Sequence, residues 1–201
     1  ASGKPGVCMA QVVGATNLAA GLRDGYMAGS PIVAITGGPT PESSYRHTYQ
    51  EVTPDFTQFD SVTKFSARVD AVTRLPDLLR QAFREVTSGA PGPVYLQIQS
   101  HLGEMAEQEA ELEPLIEEQF TRVPAFRPEP ESERVRDVAG RLAKAQKPVI
   151  VAGGGVIRSQ AQAEVVELAE ALQIPVVTSL NAKATIVDAH PLAVGVPGLY
   201  S

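Results

Sequence analysis

The chain has 201 residues, 43% of them hydrophobic and 20% charged, with a formal net charge of −6. That length supplies one large core or two small ones, and the acidic balance, without any Lys/Arg run, excludes a nucleic-acid footprint. No apolar stretch reaches the ~20 residues that span a bilayer; no signal peptide is expected, and the single cysteine, Cys8, excludes an intrachain disulfide and points to a reducing, cytoplasmic location.

In chain order, Pro5-Gly6 leads into an apolar strand over 7–10, a small-residue turn at Gly14, Ala15, Thr16 and Asn17, and a helical run over 18–26 that Ser30-Pro31 breaks. A second apolar strand over 32–36 ends in Gly37-Gly38. Two short strands without alternation, joined by a helix, predict a βαβ unit in a parallel sheet buried on both faces. Ligands of such sheets sit beyond the carboxyl ends of the strands, where Gly14, Asn17, Gly37 and Gly38 are expected. A polar segment over 39–55 reads as a functional loop or a connection across an interface. Its densest polar cluster is His47, Tyr49, Gln50 and Glu51.

A helix is predicted over 71–87, because Val72, Leu75, Leu78, Leu79, Ala82, Phe83 and Val86 recur at spacings of three and four. Ser88-Gly89 stops it, and Pro91-Gly92-Pro93 introduces a strand over 94–98. Residues 103–131 hold four prolines and, over 104–118, seven crowded glutamates, and read as an exposed interdomain connection with a solvated acidic face. A second module starts near Ser132, a candidate N-cap for a helix carrying Val135, Val138, Ala139 and Leu142. A strand over 149–152, Gly153-Gly154-Gly155, a helix over 161–172 and a strand over 174–178 repeat the α/β rhythm. With two strands in view, this module is expected to be truncated. The start at Ala1 rather than Met likewise suggests that the natural N-terminus is missing.

Several residues have chemistry suited to a ligand. Gly14 tolerates a close backbone approach, and Asn17 offers both a donor and an acceptor to a heterocycle edge; equally, Thr16 or Asn17 could simply cap the helix. Backbone N–H groups at Gly153, Gly154 and Gly155 can accept a diphosphate, although Arg158 stands where a full GxGxxG would place its last glycine. His101 and His190 show no metal-ligand spacing and read as structural or surface residues, and no metal ligand set is identified.

GATNL, followed by GLRDGYMAGSP and PIVAITGG, resembles the pyrimidine-binding domain of thiamine-diphosphate-dependent enzymes, in particular the acetolactate synthase-like group. The likeness extends through TYQE at 48–51, VTK at 62–64 and GPVYLQI at 92–98, and resumes at PVIVAGGGV and IPVVTSLNAK, which resemble that family's central domain. The resemblance implies an α/β fold of parallel-sheet layered domains. An incomplete pyrimidine-binding domain (1–102, its C-terminal part) is followed by an acidic Pro-rich linker (103–131) and an incomplete Rossmann-like central domain (132–201, its N-terminal part). It implies cofactor contact by Gly14 and Asn17, although Val12-Val13 replace the family's usual Gly-Pro. It implies that Gln50 hydrogen-bonds the substrate with Tyr49 packed beside it, and that Lys64 lies near the substrate entrance; a solvated loop and an ordinary surface lysine are the plainer readings.

In the second module the resemblance assigns nucleotide contact to Gly153, Gly154, Gly155, Thr178, Ser179 and Leu180. FAD is one occupant; another nucleotide or none is the alternative, since the Gly-Met-His-Gly string of the FAD branch is absent near Val196 to Leu199. The implied activity is carboligation or decarboxylation of 2-oxo acids, a transferase or lyase using thiamine diphosphate and Mg²⁺. The implied assembly is a homodimer or homotetramer with active sites between subunits. The family's activating glutamate is expected upstream of this chain, and its Gly-Asp-Gly…Asn metal motif in a third domain, so the chain is read as a fragment that is inactive alone. Two other classes stay open: a non-catalytic nucleotide-binding or oligomerisation α/β module, and a Rossmann oxidoreductase, disfavoured because Glu170 lies within a helix rather than at a strand end.

Overall fold

Residues 32–38 form a short run of small and branched side chains, and 94–98 place Val94, Leu96 and Ile98 on one face; such runs satisfy their backbone best inside a parallel sheet. The computed structural model describes residues 2–39, 56–99 and 109–198. The chain divides into two units, Ala1–Phe126 and Arg127–Ser201.

The first unit is built on four parallel strands in the order β1-β2-β4-β3: β1 (Gly6–Ala10), β2 (Ile32–Gly38), β3 (Phe65–Val69) and β4 (Val94–Gln99). Helix α1 (Val12–Ala28) covers one face and α2 (Leu75–Thr87) the other. Side chains alternate along a strand, so Val33, Val94 and Leu96 meet Leu78, Ala82 and Val86 of α2. Ala34 and Tyr95 meet Ala15 and Leu22 of α1 with Phe59 and Val62. Among the described residues, only β2 and β4 are covered on both faces. On the edge strand β1, Val7 and Met9 are 57% and 70% exposed, which corrects the expectation that β1 is buried on both faces.

The expected turn over 14–17 is also corrected. Helix α1 begins at Val12, one residue after β1, and includes Gly14, Ala15, Thr16 and Asn17. Its apolar stripe, Val12, Ala15, Leu22 and Gly25, runs straight through the small residues. Gly14 matters for proximity: a Cβ there would lie 3.1 Å from Ala10 Cβ. Gln11 is the N-cap, and neither it nor Thr16 or Asn17 caps through a side chain. The helix ends at Gly29, whose φ of 63° lets Ser30 N–H reach the Gly25 carbonyl at 2.7 Å.

Strand β3 was not anticipated, although Phe65, Ala67 and Val69 alternate with Ser66 and Arg68 as an edge strand should. Just before it, Lys64 donates from Nζ to the carbonyls of Glu85 and Ser88 at 2.6 and 2.7 Å, closing the C-terminus of α2. Burial, more than the opposing pull of Glu85, holds this ammonium below the ordinary lysine value.

Residues 109–126 count with the first unit. Arg84 of α2 grips Glu117 through Nε, at 2.6 Å, and Nη2, and stands 5.7 Å from the ring centroid of Phe120.

The second unit holds α3 (Ser132–Lys144), β5 (Ile150–Ala152), α4 (Gly154–Ser159), α5 (Gln162–Leu172), β6 (Val176–Thr178) and β7 (Ala193–Gly195). Its sheet has three parallel strands, β5-β6-β7, where two were expected. Ala152, Ala169, Val176 and Ile186 form its core. Ser132 is the first residue of α3, and Glu131 occupies the N-cap. The apolar stripe of α3 is present but uncovered among the described residues, with Val138 61% exposed. His190 joins Glu170 at 3.0 Å through Nε2 and accepts the Leu192 N–H through Nδ1, a structural tie between α5 and the start of β7.

Gly38 is expected to resist substitution, because an added Cβ would collide with the buried side chain of Gln97. Gly38→Ala should lose about 1–3 kcal/mol in urea unfolding, and Gly38→Ala/Gln97→Ala should lose less than the sum of the single variants. Lys64→Met should lose about 1 kcal/mol by leaving two helix-end carbonyls without their donor. The folded chain releases the Lys64 proton before the unfolded chain does. Wild-type stability should therefore rise relative to Lys64→Met as pH climbs through the lowered folded value towards 10.5.

Candidate functional site

The first sheet changes character along its length. Its two central strands, β2 and β4, start among apolar residues and carry Thr36, Gln97 and Gln99 towards the carboxyl edge. Thr36 of β2 and Tyr95 of β4, both buried, share a hydrogen bond of 2.7 Å. The Thr36 hydroxyl donates to the Gly37 carbonyl at 2.9 Å, so the Tyr95 hydroxyl donates to Thr36 Oγ1. Phe59 stacks on the Tyr95 ring with centroids 3.6 Å apart. Gln97 lies in register with Thr36, is 1% exposed and fills the space beside Gly38.

Beside this polar cluster, Met9, Ala10, Gln11, Ile35, Gly37 and Ile98 line a cavity of 250 Å³ at the same edge. Its walls are strand ends: apolar side chains below, peptide edges above. That composition suits a planar heterocycle, which needs apolar faces and a few backbone partners. The site lies where parallel sheets bind ligands.

The sequence-derived candidates distribute unevenly around this edge. Gly14 stands next to Ala10. Asn17 follows one turn later on α1 and is exposed. Tyr49 and Gln50 lie outside the described residues, as do His47 and His101. Lys64 is at the opposite, amino-terminal edge, where its backbone N–H meets the Pro93 carbonyl at 2.8 Å and its ammonium is committed to the end of α2. Thr36, Tyr95 and Gln97 were missed. The signal was available, since buried polar residues inside an apolar strand demand partners.

In the second unit the candidates do gather. Gly153 is the N-cap of α4, while Gly154 and Gly155 form its first turn. A Cβ on Gly153 or Gly155 would meet no atom within 4 Å, whereas one on Gly154 would pack 3.4 Å from Asn181 Cβ. Thr178 ends β6 and is buried, Ser179 N–H bonds the Ala152 carbonyl at 2.9 Å, and Leu180 is exposed. These residues form the carboxyl edge of the second sheet, with open backbone at two glycines. An anion can approach N–H groups there without steric hindrance. The described residues hold no cluster of His, Cys, Asp or Glu able to ligate a metal, and no helix among them is long and apolar enough to cross a membrane.

Comparison with known proteins finds a separate domain match for each unit. Residues 1–59 match the thiamine pyrophosphate enzyme, N-terminal TPP binding domain, and residues 135–201 match the thiamine pyrophosphate enzyme, central domain. The probable acetolactate synthase large subunit of Methanocaldococcus jannaschii is 32% identical over 100% of this chain. The acetolactate synthase isozyme 1 large subunit of Escherichia coli is 36% identical over 98% of it. The chain spans about a third of these curated relatives, 34% of each. An X-ray structure of a putative thiamin diphosphate-dependent enzyme from Mycobacterium smegmatis superposes with a TM-score of 0.76 at 28% identity, covering 98% of this chain and 37% of that one. Two parallel α/β units, each matched by its own domain model of one family, place this chain in the thiamine pyrophosphate enzyme family.

Proposed function

We propose that the chain is part of a thiamine-diphosphate-dependent enzyme of acetolactate synthase type, acting on 2-oxo acids by carboligation or decarboxylation. The observation that carries this reading is identity above 30% along nearly the whole chain to proteins named acetolactate synthase. The cavity at the first carboxyl edge supports it, being of a size and composition to receive a ring. When bound, thiamine diphosphate would supply a nucleophilic carbon able to add to a 2-oxo acid carbonyl. This chain's residues would hold and orient: Gly14 and Asn17 from α1 beside the edge, and Gln11 and Gly37 on it.

Gln50 and Tyr49 follow β2 closely in sequence, and β2 ends at that edge. In this reading Gln50 hydrogen-bonds the substrate and Tyr49 walls the site, which is shared between subunits of a homodimer or homotetramer in the cytoplasm. Lys64, which the resemblance puts near the substrate entrance, holds the end of α2 through its ammonium. The family's Gly-Asp-Gly…Asn motif, a string this sequence lacks, would hold Mg²⁺ with the diphosphate. At the second edge, Gly153, Gly154, Gly155, Thr178, Ser179 and Leu180 would receive the diphosphate of FAD or a related nucleotide.

The test is acetolactate formation and CO₂ release from pyruvate by the full-length protein, with thiamine diphosphate and Mg²⁺ supplied. Turnover is expected, and Gln50→Ala should lower kcat/KM by about tenfold or more while leaving the fold unchanged. Absence of both products from pyruvate and from other 2-oxo acids would sink the assignment.

The second edge is tested separately by calorimetry with FAD and ADP. Saturable binding is expected in the wild type. Gly155→Leu, which puts its side chain into open space, should keep the fold and abolish the binding. Equal binding by the variant would show that the glycine edge is not the site.

A further inference from the structure

Away from both carboxyl edges, the first unit contains a larger cavity. It has a volume of 360 Å³ and lies between the outer face of α2 and residues 112–121. Leu75, Leu79 and Phe83 form one wall; Leu112, Leu115 and Phe120 form the other. The α2 wall is firm, because its three residues also pack against the buried core below. The volume falls within the roughly 300–1,000 Å³ of small-molecule sites, and an apolar lining with few polar groups is their usual composition.

Two ionic groups beside this cavity are already satisfied by each other. Arg84 and Glu117 share two hydrogen bonds, and the Arg84 bond holds the Glu117 carboxyl below its usual range. Arg80 also lines the cavity and is differently placed. It makes one hydrogen bond, of 3.3 Å, to Asp77, one turn back on the same helix and 53% exposed, and its charge also acts on the Glu117 carboxylate. An exposed pair of this kind contributes little and exchanges readily. A guanidinium fork matches a carboxylate with two parallel bonds, so a carboxylate reaching Arg80 gains more than Asp77 supplies.

We propose that this cavity binds a small amphipathic monocarboxylate. Its apolar tail lies against Leu79, Phe83 and Leu115, and its carboxylate sits on Arg80. A polyanion is disfavoured by the apolar walls and by Glu117. A cation would meet Arg80. Occupancy would tie residues 112–121 to α2 and stabilise the unit by mass action. This inference is independent of the catalytic reading, since the cavity shares no lining residue with the one at the first carboxyl edge.

Calorimetric titration of the 201-residue chain with octanoate tests it, with octan-1-ol as the neutral comparison. Octanoate should bind saturably and raise the unfolding temperature. Arg80→Gln, a change at an exposed position, should weaken octanoate by about tenfold or more and octan-1-ol by less than about threefold. Leu115→Trp places a ring from a half-exposed position into the cavity, so it should abolish both while preserving the circular dichroism spectrum. Three outcomes would each overturn the proposal: no saturable octanoate binding up to roughly 5 mM, equal losses of octanoate and octan-1-ol in Arg80→Gln, or octanoate binding retained in Leu115→Trp.

Discussion

Strands β2 and β4 have a strand on each side and a helix on each face. A strand in that position has no direction in which to relax, and a slip of one residue would exchange its two faces. The constraint fixes which residues fit. Val33 and Leu96 must serve α2, and Ala34 and Tyr95 must serve α1. Polar side chains are tolerated only where they satisfy one another, which occurs at Thr36 and Tyr95. The result is a gradient of polarity along two buried strands, apolar at the start and hydrogen-bonding at the end. The carboxyl edge acquires its chemistry from this gradient.

The βαβ opening was legible because PIVAITGG is an unbroken apolar run with β-branched residues, and few other structures accept one. The beginning of α1 was misread because two signals competed. Glycine and asparagine at 14 and 17 suggested a turn, while Val12, Ala15 and Leu22 marked a helical stripe. The stripe prevailed, since burying those side chains stabilises more than the helix loses at Gly14. Strand β3 was legible in its alternation but overlooked beside the motif at its start. Lys64 shows how a motif can give a position without a direction: the side chain serves a helix end that only the fold brings near. Residues 109–126 were hidden by their own composition, because glutamates and prolines obscured Leu112, Leu115 and Phe120.

The two carboxyl edges solve ligand approach differently. The first presents side chains held by buried hydrogen bonds, with Gln97 occupying the space that Gly38 leaves. The second presents bare backbone at Gly153 and Gly155, with Thr178 buried beneath. Side-chain arrangements of the first kind discriminate by shape and hydrogen-bond pattern. Backbone arrangements of the second kind recognise charge and tolerate variation in the rest of the ligand. The glycine edge was therefore readable from three consecutive letters, whereas Thr36, Tyr95 and Gln97 required the strand register to bring them together.

The junction between β1 and α1 is a single residue, Gln11. Strand pairing anchors Ala10 behind it, and Val12, buried to 3%, anchors the chain ahead. The backbone at Gln11 is thus clamped between two fixed points, while its side chain is exposed, caps nothing and borders the edge cavity. Most positions near a ligand couple chemistry to stability. Gln11 separates them: its backbone is set by its neighbours, and its side chain is free to vary. Across a lineage, or in a directed library, this is where ligand preference can drift through many residue types without disturbing the architecture that displays it.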